Sequence, residues 1–382
     1  MTGLLDPETP FALVDRSRLD VNIERIRRKL AMFGVPLRLH VKTSKCVDVA
    51  RRVFPEGPGP IAVSTLAEAE HFADAGYTDV VYAVGIAPQK LERVITLRKR
   101  GVDLAVLLDS IEQADEVAAV SRRSGTCIPA LIEIDCDGHR GGLLPDDPAL
   151  TAIGYTLHTQ GAELRGVLDH AGESYFAATP DAQAAASLIE RAAVVRAAEA
   201  LRSAGLPCPV VSVGSTPTAL AATDLDGVTE VRAGNFVFFD LVMAGIGVCD
   251  YDALALSVIV TVIGHKPKKG WILTDGGWMA TSRDRGNAAQ SLDQGYGIAC
   301  GLDGETIPSL IMAAASQEHG ILAIRPGDEA SLPDLPIATR LRILPIHACA
   351  TAAQFSTYQV VNGRDETSGQ GIIATWPRMS GW

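Results

Sequence analysis

Residues 38–45 read Arg-Leu-His-Val-Lys-Thr-Ser-Lys, and Lys42 falls where an alternating run, Pro36–Val41, gives way to polar residues. A lysine amine at a strand end can form a Schiff base with a carbonyl compound. Near the other end, Leu-Pro-Ile-His-Ala-Cys-Ala-Thr places His347 and Cys349 two residues apart. On a strand, residues i and i+2 face the same side, so this spacing suits chelation. Imidazole with thiolate favours Zn²⁺ among common cations. Together the two motifs point to amine chemistry with two electrophiles, a carbonyl and a cation. Each has a plainer alternative: lysines at strand ends are usually solvated, and a small Cys beside a His is often only packing.

Such groups need a frame. Leu19, Ile23, Ile26 and Leu30 recur at three- and four-residue steps, the period of a helix. Eight short apolar runs follow: Pro36–Val41, Ile61–Ser64, Asp79–Ala83, Asp103–Leu108, Ile128–Ile134, Leu164–Leu168, Pro209–Val213 and Val228–Arg232. Amphipathic stretches lie between them, including Leu66–Ala75, Gln89–Arg100, Ile111–Arg123 and Asp181–Ala204. Strands alternating with helices imply an α/β fold with a parallel sheet, and eight such units imply a (β/α)8 TIM barrel. An open doubly wound sheet is the rival, but no Gly-x-Gly-x-x-Gly follows the first run.

From about Asp250 the pattern turns to strands with few long helices: Leu254–Ile263, Trp271–Thr274, Leu341–Pro345, Tyr358–Val361 and Gly371–Trp376. The expected division is a barrel over 16–249 and a C-terminal mostly-β domain over 250–382, joined by residues 1–15 through the run Phe11–Asp15. The candidate cation pair lies in that second domain.

Barrel enzymes do their chemistry at the C-terminal ends of the strands. Lys42 ends the first expected strand, Arg140 follows the fifth, and His170 ends the sixth. Gly214-Ser215-Thr216-Pro217-Thr218 follows the seventh and Gly234-Asn235 the eighth. The turns after strands seven and eight are the usual phosphate position of this fold. There Gly214 lets the backbone approach an anion, while Ser215 and Thr216 add hydroxyls at a helix start. The common phosphate-bearing aldehyde for a lysine is pyridoxal 5'-phosphate (PLP). Taken singly, His170 is more often a core or rim histidine and Arg140 a surface ion-pair member.

Composition narrows the alternatives. Of 382 residues, 47% are hydrophobic and 21% charged, enough for a large core. A net charge of −11 argues against nucleic acid or an anionic membrane surface as partner. No apolar run reaches the ~18 residues of a membrane span, and no secretory signal opens the chain. The seven cysteines include no Cys-x-x-Cys, which fits free thiols and a cytoplasmic location.

As a set, these motifs resemble the PLP enzymes of the alanine racemase barrel class (fold type III), within it the D-serine dehydratase and D-threonine aldolase group. The stretches that carry the likeness are His-Val-Lys-Thr-Ser-Lys, residues 63–70, 213–218, 234–240, Gln-Glu-His-Gly at 317–320, and His-Ala-Cys-Ala-Thr at 347–351. Gly-Trp-Met-Ala-Thr-Ser-Arg-Asp-Arg-Gly (277–286) draws it toward dehydratases of 3-hydroxyaspartate.

The resemblance implies that Lys42 holds PLP and that Arg140 contacts its phenolic oxygen. His170 would pack beside the ring, with Ser215, Thr216, Gly234 and Asn235 around the phosphate and Arg232 near the pyridine nitrogen. His347 and Cys349 would hold a divalent metal, Zn first, with Mn, Mg or Co open. His319 would be an outer-shell or proton-transfer group, and Arg283 or Arg285 would take a second substrate carboxylate. The implied activity is dehydration of a D-3-hydroxy amino acid, of the D-threo-3-hydroxyaspartate or D-serine type, to a 2-oxo acid and ammonia. Lys42 would act as the α-proton base, in a homodimer. The group's aldolases tend to carry His-x-Asp where this chain has Cys349. Retro-aldol cleavage to glycine and an aldehyde is the first alternative, and a non-catalytic PLP carrier the second.

Overall fold

Eight short strands form a closed, wholly parallel barrel: Leu37–His40, Ile61–Val63, Asp79–Gly85, Asp103–Leu108, Pro129–Ile134, Glu163–Asp169, Val210–Val213 and Glu230–Ala233. The eighth strand closes on the first, with Val231 opposite Leu37 and Ala233 opposite Leu39. This computed structural model describes residues 2–363 and 371–382. Met1 and residues 364–370, which the expected β-rich domain includes, lie outside the described residues. By packing, the chain divides into two units: residues 25–234 with 381–382, and residues up to Glu24 with Asn235–Ser380.

The barrel helices start and stop where local chemistry directs. Thr65, Ser110 and Thr179 each accept a hydrogen bond from a main-chain N–H three residues on, capping Leu66–Asp74, Ile111–Ser124 and Pro180–Ser203. Gly125, at φ 63°, ends the second of these in the left-handed region. Ala62, Val81, Ala105, Leu107, Leu131 and Leu168 pack as one buried cluster on the strands. Truncating a fully buried leucine such as Leu131 to alanine costs about 2–5 kcal/mol at such a site.

The seam between first and eighth strands carries a buried ion pair. Arg38 Nε donates to both Glu230 oxygens at 2.9 Å, and its Nη1 reaches Asp79 Oδ1 at 2.7 Å. Ser212 Oγ donates to Glu230 at 2.6 Å and accepts from Arg232 Nη1 at 2.7 Å. Burial works against ionisation of Glu230, but Arg38 outweighs it and holds the carboxyl below its usual range.

The second unit is built on a nine-stranded sheet. Phe11–Asp15 lies between Leu256–Lys266, to which it is antiparallel, and Thr357–Val361, to which it is parallel. Leu256–Lys266 also pairs with Arg340–Leu344 and, through its far end, with Trp271–Thr274. Val258, Val260, Ile272, Leu310, Met312, Leu322, Leu341 and Ile343 belong to its fully buried core.

Three strands of this sheet were not expected from sequence: Ile298–Cys300, Thr306–Ala315 and Gly320–Ile324. Thr306–Ala315 contains Pro308, positive-φ Ser309 and a run of alanines, none of which signals a strand. Its pairing partners impose the extended form. No helix among the described residues is long and apolar enough to cross a membrane.

Candidate active site

Within the barrel unit, Lys42 stands two residues beyond the first strand, in a turn that the next residues brace. Lys45, at φ 45°, turns its N–H to the Val41 carbonyl at 2.7 Å. Its ammonium pairs at 3.0 Å with Glu68, whose other oxygen accepts from Ser64 N–H at 2.8 Å. Glu68 is fully buried, so this pair fixes the turn against the helix Leu66–Asp74. His40 Nδ1 takes the Lys42 N–H at 3.4 Å.

His170 directly follows the sixth strand, and its Nδ1 lies 2.8 Å from the Gly214 carbonyl. A carbonyl only accepts, so Nδ1 carries the hydrogen and Nε2 keeps its lone pair. Burial, then the Lys42 charge, pushes His170 down to about 3. Burial with the charges of Lys42 and Arg232 holds His40 well below its ordinary value too. Both rings are neutral at pH 7, held so by burial and by the basic side chains of Lys42, Arg140 and Arg232 around them.

The glycines after strands seven and eight are required by space. A β-carbon on Gly214, at φ 148°, would overlap the Arg232 carbonyl, and one on Gly234 would overlap that of His40. Ser215 caps the helix Thr216–Ala221 in a reciprocal capping box with Thr218, and its hydroxyl lies 2.8 Å from Ser174 Oγ. Arg232 is buried and donates to Ser212 Oγ and to the Asp169 carbonyl. Arg140 is exposed and pairs at 3.5 Å with Glu133.

This set fits PLP. A phosphate brings close to two negative charges and three acceptor oxygens to a rim that carries Lys42, Arg140 and the buried Arg232 beside two tight glycine turns. Lys42, Arg140, His170, Ser215, Thr216, Arg232 and Gly234 would hold it.

In the second unit, His347 and Cys349 meet, but not as strand neighbours. His347 is extended (φ −133°) and forms the N-cap of a helix, Ala348–Ala352. The expected strand ends at Leu344. The alanine-rich segment favours helix, and Asp240 Oδ2 accepts the Ala348 N–H at 2.9 Å, starting that helix here. The imidazole and the sulfur nevertheless hydrogen-bond each other. Sequence reading passed over Asp284, whose Oδ2 lies 2.6 Å from His347 Nδ1. Burial opposes a charge on His347, but Cys349, Asp284 and Asp240 together push it up to about 11.

A cation would replace that proton, and imidazole plus thiolate is a borderline-soft donor set that fits a divalent metal. Among the described residues no three His, Cys, Asp or Glu side chains converge as ligands. The described residues thus offer two candidate ligands, which would leave coordination open to water and substrate.

Asn235 Nδ2 is spent on Asp240 Oδ2 at 2.6 Å, which makes its side chain a brace for the carboxylate that starts the helix after His347. His319 is exposed in the turn between Thr306–Ala315 and Gly320–Ile324, where its carbonyl accepts from Ser316 N–H at 2.8 Å. Arg283 is exposed, its guanidinium over the Trp278 ring at 5.2 Å. Arg285 is committed to Asp293 at 2.7 and 2.8 Å and lies over Tyr296.

A model of the alanine racemase N-terminal domain matches residues 14–242, and a serine dehydratase domain matches 255–361. The chain belongs to the alanine racemase N-terminal domain family. Members of this family are PLP-dependent. The chain is 54% identical over 382 residues to D-threo-3-hydroxyaspartate dehydratase of Delftia sp. (strain HT23), covering 99% of each. The solved structure of that enzyme superposes with a TM-score of 0.96, covering 100% of both chains at 53% identity. A cysteine-to-alanine variant of it is described as the metal-free form. D-serine dehydratase of Dictyostelium discoideum is 28% identical over 94% of each chain. D-threonine aldolase of Arthrobacter sp. is more distant, 26% identical over 90% of this chain and 86% of its own.

Proposed function

We propose that the chain is a PLP- and metal-dependent dehydratase that converts a D-3-hydroxy amino acid of the 3-hydroxyaspartate type to a 2-oxo acid and ammonia. The observation that carries the reading is the His347–Cys349 pair, with Asp284 on the far nitrogen of the imidazole, in a chain with a half-buried lysine turn at its barrel rim. The 54% identity over the full length to a dehydratase of that substrate supports it.

PLP, when bound, would capture the substrate amine and withdraw electrons from Cα, and a divalent metal at His347 and Cys349 would polarise the β-hydroxyl. Lys42 Nζ would hold the cofactor and then take the α-proton. The neutral His170, with Nδ1 bound to the Gly214 carbonyl, would present an uncharged face to the ring. Asp284 would orient the His347 imidazole with Nε2 free for a cation. Arg283, whose described contact is the Trp278 ring, would take the distal carboxylate, while Arg285 is held by Asp293. Loss of water across Cα–Cβ and later uptake of one water leave a balance of substrate to 2-oxo acid plus ammonia.

The test is a product assay with D-threo-3-hydroxyaspartate, D-serine and D-threonine, each with metal and with a chelator. Ammonia with an equal amount of 2-oxo acid, lost on chelation, is the expected outcome. Glycine and an aldehyde as main products would overturn it in favour of retro-aldol cleavage. Uptake of PLP without turnover of any substrate would favour a carrier.

A further inference from the structure

Glu190 lies in the middle of the helix Pro180–Ser203, ten residues past its start, and is buried to 1% exposure. Its Oε1 accepts two main-chain N–H groups, from Ala171 at 3.1 Å and from Gly214 at 2.8 Å. Thr218 supplies a hydroxyl contact to the same carboxylate. Ala171 follows His170 in the turn after the sixth strand. Gly214 opens the turn after the seventh, just before Ser215 and Thr216. One oxygen therefore ties together the two turns that carry the ring-side histidine and the phosphate-side residues. Two further bridges join the same turns: His170 Nδ1 to the Gly214 carbonyl, and Ser174 Oγ to Ser215 Oγ, both at 2.8 Å.

Gly214 is the pivot of this arrangement. Its N–H goes to Glu190, its carbonyl to His170, and its α-carbon sits against the Arg232 backbone with no room for a side chain. Its N–H is thus spent within the protein and not offered to an anion, so the anion-binding shape of the turn depends on what holds Gly214 in place. A buried carboxylate that accepts several N–H groups is costly to desolvate and is retained only where those bonds repay it.

We propose that Glu190 is a positioning residue that sets the phosphate turn of the cofactor site by holding Gly214 and Ala171 at one atom. This rests on the reading of the barrel rim as a PLP site. The experiment titrates cofactor-free protein with PLP and, separately, with pyridoxal, which has the aldehyde and ring but no phosphate. Binding is followed by cofactor absorbance.

Glu190→Ala should weaken PLP binding by about tenfold or more, the loss expected for removing charge-assisted bonds. Pyridoxal binding should change by less than about threefold. Glu190→Gln should stay within about threefold of wild type for both, because an amide oxygen can accept the same two N–H groups. A general loss of stability would not move the ratio of the two affinities. An unchanged PLP affinity in Glu190→Ala, an equal loss for both ligands, or a Gln variant as weak as the Ala variant would each overturn the proposal. If Glu190→Ala does not fold, Ser174→Ala cuts another bridge between the same turns. A selective loss of PLP affinity in that variant supports the proposal, and an unchanged ratio overturns it. Wild-type protein that takes up no PLP would overturn the reading of the site and this inference with it; wild-type uptake with an unaffected Glu190→Ala would overturn the inference alone.

Discussion

Asp284 Oδ2 and His347 Nδ1 lie 2.6 Å apart, with 62 residues of sequence between them. The contact fixes which imidazole nitrogen carries hydrogen and leaves Nε2 as the one able to bind a cation. Asp284 is itself held, its Oδ1 accepting Gly286 N–H at 2.9 Å and its N–H donating to Ser282 Oγ at 3.1 Å. Asp284→Ala should weaken divalent metal binding by about 10–100-fold, the usual cost of removing such a partner. Asp284→Asn should weaken it less, since the amide oxygen can still accept from Nδ1. Competition against a chromogenic chelator reads this directly. Equal affinity in all three proteins would show the contact to be incidental.

The two arginines of the 277–286 stretch should separate by function. Arg285 makes two hydrogen bonds to Asp293, whereas Arg283 is exposed over Trp278. Only Arg283 can meet a substrate carboxylate without breaking an ion pair. A charge-assisted hydrogen bond is worth about 1.5–3 kcal/mol, roughly 10–150-fold in kcat/KM. Arg283→Ala should lose that much with 3-hydroxyaspartate and little with D-serine, which has no second carboxylate. Arg285→Ala should lower thermal stability and leave the substrate ratio unchanged. The opposite assignment of the two effects would refute this division.

The barrel was legible because each strand is a short apolar run bounded by polar turns, and because the helices between them carry local caps such as Ser110 and Thr179. The rim residues followed from the frame: once eight strands are placed, Lys42, His170, Gly214 and Gly234 fall at their C-terminal ends. What sequence could not give was pairing at a distance. Glu190 resembles other acidic residues of its helix, such as Glu199, and only the fold buries it against Gly214. Asp284 lies within residues 277–286, but its role depends on His347, a partner distant in sequence. The His-x-Cys spacing implies neighbours on one face of a strand, whereas Asp240 starts a helix at Ala348 and the two residues lie at its N-terminus.

Asp169 gives a pH prediction. It is fully buried, and burial followed by the charge of Glu190 pushes its carboxyl up to about 8. The folded state therefore keeps this proton to higher pH than the unfolded chain, whose ordinary value is near 3.8. Its contribution to stability is fully present below that ordinary value and is lost as pH rises toward 8. The slope is at most about 1.4 kcal/mol per pH unit for one group. Asp169→Asn replaces a neutral acid by a neutral amide of the same shape, so the variant should fold and its urea midpoint should fall less between pH 5 and pH 8. Parallel pH dependence in the two proteins would count against a protonated Asp169.

Lys42 and Lys45 are three residues apart, and only one of them should carry the cofactor. Lys45 is committed to the buried Glu68 at 3.0 Å, in a left-handed turn that sets the loop. Reduction of the PLP-loaded protein with borohydride, followed by digestion and mass spectrometry, should place the cofactor mass on Lys42. Lys42→Ala should carry no label and lose turnover by about 10²–10⁴-fold or more, the range for removal of a general acid–base group. Lys45→Met should keep the label at residue 42 but lower stability, because it leaves Glu68 buried without its counter-charge. A label on residue 45 in the wild type would move the catalytic amine to the wrong side of the turn and undo the assignment of Lys42.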